Sequence, residues 1–461
     1  MRRTRPVVSA CMLLLIGPLP ACAPRDAGFG SVQVLLEQRA GLDPQWRQLS
    51  GDPAADQLAQ ELLAQPVGPD EAVEIALLKN ADLQARFEDL GIARAQLVDA
   101  SLPPNVEFEG DVGSFADGRR SDFGFVATTD LTRLLLLPMR RGVALAGFDA
   151  ARVETAGAAL EFAYEVRNAF YDYQTAEQFL ELERTVLESA AASYDTAQRL
   201  YDAGNISALE LVNERVFYEQ ARSETTLAEA SALGRREGLN VWMGLSGGDT
   251  VWELAGRLAE PEDEGELPDV EALEARAIED SLDLLGIEYR YTASARQANL
   301  ARAEGLLPSV RAGAQVGREG SIRQTGAVVS LELPLFNQGQ GRVDEARARM
   351  RRLEQQYLAR AVQIRAAVRA SRNELVIATR RAAHFREVLL PLWEQVVHET
   401  LLQYNAMQVG VFEFLSARRE QVRTGQDYVT ALRNYWRVRS RLDQILAGRL
   451  VSMPDVTGMP E

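Results

Sequence analysis

Few residues in this sequence have the type and spacing of a metal-binding or catalytic group. The two histidines, His384 and His398, lie fourteen residues apart on one predicted helix, whereas histidines that bind a metal from one helix are usually four apart. No glycine-rich phosphate loop follows a predicted strand, since Gly244, Gly247 and Gly248 mark a helix end and a linker. Acidic pairs occur throughout the helices and, without a pocket, indicate no acid–base catalysis. We therefore predict no enzymatic activity, no metal site and no cofactor.

The two cysteines of the chain lie within the first 22 residues. Three arginines among the first five residues precede an apolar run that is too short to span a bilayer. The Leu-Pro-Ala-Cys sequence that ends at Cys22 resembles a bacterial lipoprotein signal, in which Cys22 becomes the lipidated first residue; cleavage near Ala21 without lipidation is the alternative. Ala23 after it resembles the outer-membrane address of such lipoproteins. Because Cys11 is removed with the signal, we also predict no disulfide.

Composition and charge narrow the class of protein further. Hydrophobic residues make up 46% of the 461-residue chain and aromatic residues only 7%, which is typical of long packed helices. The formal net charge is −16, whereas nucleic-acid binding requires a basic surface. We predict no nucleic-acid partner and attribute most of the charge to a solvated acidic surface.

A long internal repeat surrounds two turn-like stretches. Five pairs of like residues are each separated by 203 positions: Tyr201 and Tyr404, Ala203 and Ala406, Ile206 and Val409, Glu210 and Glu413, and Arg215 and Arg418. Both stretches lie between helical segments that are too long for an ordinary globular domain. We interpret them as the tips of two copies of one long helical hairpin.

Each copy has the same predicted order of elements: helix, strand, turn, strand, long helix, tip and return helix. The first helix of each copy is predicted over 69–102 and 270–307, where prolines end it. Apolar periodicity predicts an uninterrupted helix of 60 residues over 143–202. The predicted domains are a signal peptide at 1–21, an N-terminal extension at 22–65, a first repeat at 66–246, a linker at 247–268, a second repeat at 269–448 and a disordered tail at 449–461.

Four short segments alternate apolar and polar residues as strands do. They are predicted over 105–113, 123–131, 309–317 and 326–333. A sheet with one apolar and one charged face can lie between lipid and water if it closes, and the twelve strands of three chains suffice for that. The alternative is a small soluble sheet with a solvated acidic face. In the closed form the candidate lumen-facing acids are Glu107, Glu109, Asp111 and Glu332.

The order of elements in each copy, together with several short sequence motifs, resembles the outer-membrane efflux protein family, the TolC-like exit ducts of Gram-negative tripartite pumps. The matching motifs are ALLKNADL at 76–83, LPPNV at 102–106, LPLFNQG at 333–339 with Arg342 and Ala346 after it, and the two tips. The resemblance covers most of the chain, from about residue 66 to about residue 448. LPPNV and the lipoprotein signal make the chain more similar to the heavy-metal (cation) efflux ducts within the family.

The resemblance implies a mainly α fold with a small antiparallel β portion and an internal duplication. A homotrimer would form a TolC-like outer-membrane β-barrel, surrounded by outer-membrane lipid, that continues into long periplasmic helical hairpins. The implied partners are a periplasmic adaptor (membrane fusion) protein at the tips and, through it, an inner-membrane transporter. The residues that the resemblance assigns to adaptor docking are Gly204, Asn205, Ile206, Ser207, Val409, Gly410 and Val411.

Family members also narrow their tunnel near the tip with acidic residues. Glu413 matches the first such position, whereas Ser416 stands where some members have a second acid. The resemblance therefore makes Glu413 a candidate tip constriction but does not support a gate of two acidic rings. The alternative for Glu413 is an ordinary solvated helix residue.

We predict a passive exit duct in the outer membrane that carries substrates from a periplasmic adaptor to the exterior. A second hypothesis, from another class, is a membrane-anchored coiled-coil scaffold or adaptor lipoprotein without a pore. A scaffold has no need for paired strands with a lipid-compatible face in both halves, and an enzyme is a distant third hypothesis. The cargo is not encoded in these residues, so metal cations, drugs and secreted polypeptides stay open.

Overall fold

The chain folds into two units that alternate along the sequence. The computed structural model describes residues 26–46, 53–113, 122–261, 269–319 and 322–451. The described residues within Met1–Gly28, Leu90–Ala151 and Glu288–Glu354 form the first unit, and those within Phe29–Asp89, Arg152–Ile287 and Gln355–Glu461 form the second. The predicted signal peptide at 1–21, Cys22 and the last ten residues of the predicted tail lie outside the described residues.

The first unit contains a four-stranded antiparallel sheet. Its strands are β1 (Glu107–Gly113), β2 (Asp122–Asp130), β3 (Ser309–Glu319) and β4 (Ile322–Glu332), paired in the order β1-β2-β3-β4. β4 begins four residues before its predicted start at 326, because the ladder continues through pairs such as Arg318 with Arg323. The residues before 326 are mostly polar, and the sequence therefore predicts a turn there. Exposed strand residues can nevertheless be polar, because the ladder requires only that their backbone N–H and C=O groups are paired.

The strand register sorts the side chains of the sheet onto two faces. Residues directly opposite each other share a face, so Phe108, Ala127, Ala314 and Ala327 form one row of an apolar face. Large apolar side chains on this face are exposed, namely Phe108, Val112, Phe123, Phe125, Val329 and Leu331. A contiguous exposed apolar surface of this kind marks a place where a partner or a membrane covers the protein.

Helices form the rest of the described chain. The N-terminal extension contains α1 (Phe29–Ala40) and α2 (Pro53–Leu63). The first copy contains α3 (Pro69–Lys79), α4 (Ala81–Ser101), α5 (Leu131–Leu135), α6 (Leu137–Asp202) and α7 (Ala208–Met243). The second contains α8 (Val270–Glu279), α9 (Leu282–Leu306), α10 (Gln340–His384), α11 (Leu390–Asn405) and α12 (Val411–Leu446). A single π-helical turn, Phe385–Leu389, joins α10 to α11 just before Pro391, which lacks the N–H of a regular α-helical bond.

The first helix of each copy is broken, so the prediction of one continuous helix over 69–102 and over 270–307 is wrong. Asn80 separates α3 from α4 with an extended backbone, and its side-chain oxygen accepts a hydrogen bond from the Leu83 N–H at 2.9 Å. Ser281 separates α8 from α9, and its hydroxyl accepts from the Leu284 N–H at 3.1 Å. Both side chains act as N-caps. Apolar periodicity misses such breaks because it continues on both sides of the cap.

The longest helix, α6, has 66 residues and begins at Leu137, six residues before its predicted start at 143. Pro138 lies in its first turn, where proline is tolerated because the N–H groups of that turn have no intrahelical partner. The helix therefore continues without a break through the six residues before its predicted start.

The core of the second unit lies between its helices. Fully buried side chains there include Ile75, Leu78, Phe87, Leu160 and Phe170. The N-terminal extension adds to this core, since the Phe29 ring packs edge-on against Phe87 with centroids 5.0 Å apart. This part of the extension is integrated into the fold by burial of its apolar side chains.

Residues of the predicted linker and tail also pack onto the second unit. The indole N–H of Trp252, a buried residue, donates to the Asn240 side chain at 2.9 Å. Arg449 donates to the carboxylates of Glu161 and Asp283, each at 2.8 Å. The prediction of disorder is therefore wrong for residues 449–451, because these charge-assisted hydrogen bonds hold the chain in place.

Candidate functional site

The first candidate site is the tip between α6 and α7, a turn held by backbone hydrogen bonds. Gly204 adopts a left-handed conformation (φ 76°), and the Asn205 N–H donates to the Leu200 carbonyl at 2.8 Å. This is a Schellman motif, in which glycine ends a helix because it has no Cβ to clash. Ser207 then becomes the N-cap of α7.

A reciprocal pair of hydrogen bonds closes this tip. The Ser207 N–H donates to Glu210 Oε2 at 2.7 Å, and the Glu210 N–H donates to the Ser207 hydroxyl at 3.2 Å. The hydrogen bond from the Ser207 backbone, followed by that of its side chain, lowers the pKa of the Glu210 carboxyl. The resulting stabilisation is present above the ordinary carboxyl pKa and is lost as the pH falls through the lowered one.

The second tip, between α11 and α12, repeats the turn with a different residue in the left-handed position. Met407 has φ 58° and is 94% exposed. Gly410 has φ −78° and is the N-cap of α12. Met407 is thus the counterpart of Gly204, and Gly410 that of Ser207. Met407 is not among the predicted docking residues, because a glycine is expected in a left-handed turn position, although the 203-residue spacing from Gly204 points to it.

Glu413 occupies the place in α12 that Glu210 occupies in α7. Its Oε2 lies 2.9 Å from the point where a Cβ on Gly410 would be, so the carboxylate folds back over the start of its own helix. An acidic side chain is favoured there by the free N–H groups and the helix dipole. This local role is sufficient to explain the residue, and a constriction at Glu413 stays a prediction.

Between the two tips lies a groove of about 420 Å³, which we call the tip groove. Both hairpins contribute its apolar and aromatic lining: Ala192, Ala197, Leu200, Ile206, Tyr404, Val411, Phe414 and Leu415. Ile206 and Val411 are thus the two predicted docking residues that line it. The other five, Gly204, Asn205, Ser207, Val409 and Gly410, form the turns beside it. A concave apolar surface of this size can accept several side chains of a partner.

One carboxylate on the wall of the tip groove is buried. Glu214, on α7, is 2% exposed and accepts a hydrogen bond from the Ser193 hydroxyl of α6 at 2.6 Å. The sequence analysis did not single out this pair, since an isolated Ser and an isolated Glu carry no motif. The residues 203 positions later are Val396 and Ala417, so the buried polar pair distinguishes the first hairpin from the second.

Stacked aromatic rings join the two helices of each hairpin near its tip. Tyr194 stacks on Tyr218 in the first hairpin, with centroids 5.8 Å apart and planes inclined by 8°. Tyr404 stacks on Phe414 in the second, at 6.1 Å and 18°. Offset ring pairs of this kind contribute more stability than the burial of their apolar area alone. Each pair therefore stabilises the packing of the two helices next to the tip.

The second candidate site is the polar face of the sheet. The register places all four predicted acids, Glu107, Glu109, Asp111 and Glu332, on this face, opposite the apolar one. We call them the sheet acids. Glu107 pairs with Arg311 two strands away at 3.2 Å, and both side chains are largely exposed. The face is thus hydrated and mostly acidic, although a role in a lumen stays a prediction.

Neither a cluster of metal ligands nor a membrane-spanning helix is found among the described residues. Within them, no three His, Cys, Asp or Glu side chains are arranged to hold a metal ion. In the same ranges no helix combines the length and the apolar character needed to cross a membrane. Cys22, the predicted lipidation site, lies outside the described residues.

Known proteins share this combination of long helical hairpins and a small sheet. Residues 74–245 match the family model of the outer membrane efflux proteins. This part of the chain is similar to the outer membrane efflux proteins. The predicted resemblance to this family is confirmed. The family and the similar proteins are efflux channels rather than enzymes, which agrees with the prediction of no enzymatic activity.

Proteins similar to this chain cover more than four fifths of its length. The cobalt-zinc-cadmium resistance protein CzcC of Cupriavidus metallidurans is 23% identical over 407 residues, which cover 83% of this chain and 90% of the relative. A membrane protein from Pseudomonas aeruginosa has a TM-score of 0.70 at 19% identity, covering 82% of this chain and 93% of that one. The open MtrE outer membrane channel of Neisseria gonorrhoeae has a TM-score of 0.68 at 18% identity, covering 83% and 89%. The predicted TolC-like, mainly helical fold is confirmed.

Proposed function

We propose that this protein is an outer-membrane efflux channel, the passive exit duct of a tripartite pump. Three chains assemble their sheets into one closed barrel, with the apolar face towards lipid and the sheet acids towards the water-filled lumen. The observation that carries the proposal is the division of the sheet into an exposed apolar face and an acidic face. Such a division is needed by a sheet that separates hydrocarbon from water.

Single-channel recording tests this proposal directly. Protein extracted from outer membranes is inserted into a planar bilayer with a salt gradient, and cation-selective steps are expected. Replacing the four sheet acids by the corresponding amides removes the lumenal charge and reduces the cation preference. A matched variant neutralises four exposed acids on helices of the second unit and leaves the preference unchanged: Glu37, Glu61, Asp82 and Glu271.

The competing function is a membrane-anchored scaffold without a pore. It predicts persistent electrical silence from well-folded protein, even when Glu413 is replaced to open a constricted tip. Trimers that resist heat and leave the outer membrane only with detergent favour the duct. Silence from such trimers, with and without the Glu413 replacement, would favour the scaffold.

We further propose that a periplasmic adaptor docks at the two tips and the tip groove. The exposed turns and the apolar lining of the groove support this assignment. Gly204→Arg and Met407→Arg place a charged side chain in the turn and should abolish export while trimers persist. Arg at Leu227, an exposed position farther along α7, is the control that should leave export intact. Normal export by both tip variants would exclude docking at the tips.

For the cargo we propose metal cations. The likeness to a protein named for cobalt, zinc and cadmium resistance supports this choice, and an acidic lumen favours cations. Deletion of the gene should sensitise cells to salts of these three metals and leave resistance to dyes and detergents unchanged. Sensitivity to dyes alone would favour a drug-exporting duct and overturn the assignment.

A further inference from the structure

Two segments at one end of the sheet, where strands are followed by helices, both contain exposed apolar residues and arginines. The register places the last residue of β2, the first of β3 and the last of β4 at one end of the sheet. Residues 131–142 follow β2 and lead into α6, and residues 333–352 follow β4 and form the start of α10. We call these two stretches the junction segments.

Each junction segment begins with exposed apolar side chains. Leu135 is 67% exposed in the first, and Leu335 and Phe336 are 69% and 92% exposed in the second. Large apolar groups in such positions are unfavourable in water. They follow directly on the strands whose apolar face is also exposed, so one medium can cover both.

Basic side chains come next in both segments. Residues 131–142 contain three arginines and no acidic residue, a formal charge of +3. Residues 333–352 contain five arginines against Asp344 and Glu345, which is again +3. The whole chain carries a formal net charge of −16, so these two segments are basic in an otherwise acidic protein.

An ion-pair network holds the two segments together. Glu304, at the end of α9, accepts from Arg140 at 3.3 Å and from Arg342 at 2.5 Å. These two arginines are therefore engaged in the fold. Four others are exposed and, among the contacts of the described residues, have no ion-pair partner: Arg133, Arg141, Arg351 and Arg352.

We infer that the four free arginines bind the phosphate groups of anionic phospholipids at the helical end of the sheet. The guanidinium fork matches the geometry of phosphate oxygens, and basic residues beside a membrane are drawn to its anionic surface. The exposed leucines and Phe336 enter the acyl region next to those headgroups, as at other membrane interfaces. A soluble anionic partner would leave these apolar side chains uncovered. The inference depends on the proposed placement of the sheet in the membrane.

The test measures the selectivity of the protein for boundary lipid. Full-length protein is reconstituted into phosphatidylcholine bilayers that contain a trace of spin-labelled phosphatidylglycerol or spin-labelled phosphatidylcholine, and the immobilised fraction of each label is compared. The wild type should prefer phosphatidylglycerol by roughly threefold or more at low salt. High salt should weaken the preference, because it screens exposed charges.

Two variants with the same change of charge separate the junction segments from the rest of the chain. Replacement of Arg133, Arg141, Arg351 and Arg352 by Gln should bring the preference close to one. Replacement of four exposed arginines of the second unit by Gln should leave it as in the wild type: Arg215, Arg365, Arg380 and Arg423. Conductance of the same samples reports whether each variant is inserted and folded.

The outcomes also separate this inference from the proposed duct. A conducting wild type without lipid preference, or a junction variant that keeps the preference, would show the inference to be wrong while the duct stands. Wild-type protein that neither inserts nor conducts would overturn both. Equal loss of preference in the two variants would assign the effect to net charge and exclude a site at the junction segments.

Discussion

At the scale of single residues, Glu214 shows how the two hairpins have diverged. The carboxylate is buried beside the tip groove and bonded to Ser193, while the second hairpin has Ala417 and Val396 at the repeated positions. A buried carboxylate requires hydrogen-bond partners, because burial removes its water. The Ser193 hydroxyl of α6 supplies one of them to α7.

Ser193→Ala should therefore destabilise the first hairpin by about 1–3 kcal/mol, since a buried acceptor loses its donor. The control is Ser189→Ala, one turn earlier on α6, where the hydroxyl only donates to the Thr185 carbonyl of its own helix. Hydrogen exchange at the first tip and unfolding in denaturant measure the effect. Equal behaviour of the two variants would show that the bond to Glu214 contributes nothing.

The left-handed backbone conformation of Gly204 and Met407 predicts opposite changes in tip stability for a substitution at each residue. Both residues are left-handed, a conformation that costs roughly 1–2 kcal/mol when a Cβ is present. Gly204→Ala should thus destabilise its tip by about 1 kcal/mol, whereas Met407→Gly should stabilise its tip by a similar amount. Hydrogen exchange of the turn amides checks both, and a loss of protection in Met407→Gly would contradict the argument from strain.

At the scale of elements, Asn80 and Ser281 mark where the first helix of each copy is interrupted. Asn80 does more than cap α4, since its amide also donates to the carbonyls of Val241 and Trp242 at 3.3 and 3.0 Å. These carbonyls belong to the last turn of α7, where the regular donors four residues later are missing, and the Gly244 N–H that caps the helix reaches Val241 but not Trp242. One side chain therefore joins the start of α4 to the end of α7.

Three substitutions should separate these contributions. Asn80→Ser keeps an N-cap oxygen and loses the bonds to α7, whereas Asn80→Ala loses both and should cost about 1 kcal/mol more. Ser281→Ala loses only a cap, again about 1 kcal/mol. Equilibrium unfolding of the three variants gives the order, and identical values for Asn80→Ser and Asn80→Ala would mean that the cap is not needed.

At the scale of the whole molecule, buried tyrosines on the long α6 make the stability of the fold depend on pH in the alkaline range. Burial raises the pKa of Tyr164, Tyr171 and Tyr173 to about 12, from 10.0 in water. The folded state thus holds these protons more tightly than the unfolded state. This contribution to stability is complete below about pH 10 and is lost as the pH rises towards 12.

The protein should consequently lose stability between about pH 10 and pH 12. Absorbance at 295 nm follows tyrosinate formation, and the folded protein should titrate later than protein unfolded in denaturant. Phe at the three positions should flatten the dependence. A folded-state titration that coincides with the unfolded one would show that burial does not control these groups.

The sequence alone was sufficient for the repeat, the hairpins, the alternating faces of the strands and the resemblance to the outer membrane efflux proteins. These features depend on patterns that recur within a few residues or at a constant spacing, as at Tyr201 and Tyr404. The acids Glu107, Glu109 and Asp111 share a face for the same reason, because side chains alternate along any strand.

Only the tertiary structure decided which residues meet across the elements. It placed Met407 in the left-handed turn position, paired Glu214 with Ser193 and brought Asn80 to the end of α7. It also brought Arg140 and Arg342 to Glu304. Each of these depends on contacts between distant parts of the chain or on a backbone angle set by such contacts. Local periodicity records that a side chain is apolar or polar, but not which partner satisfies it.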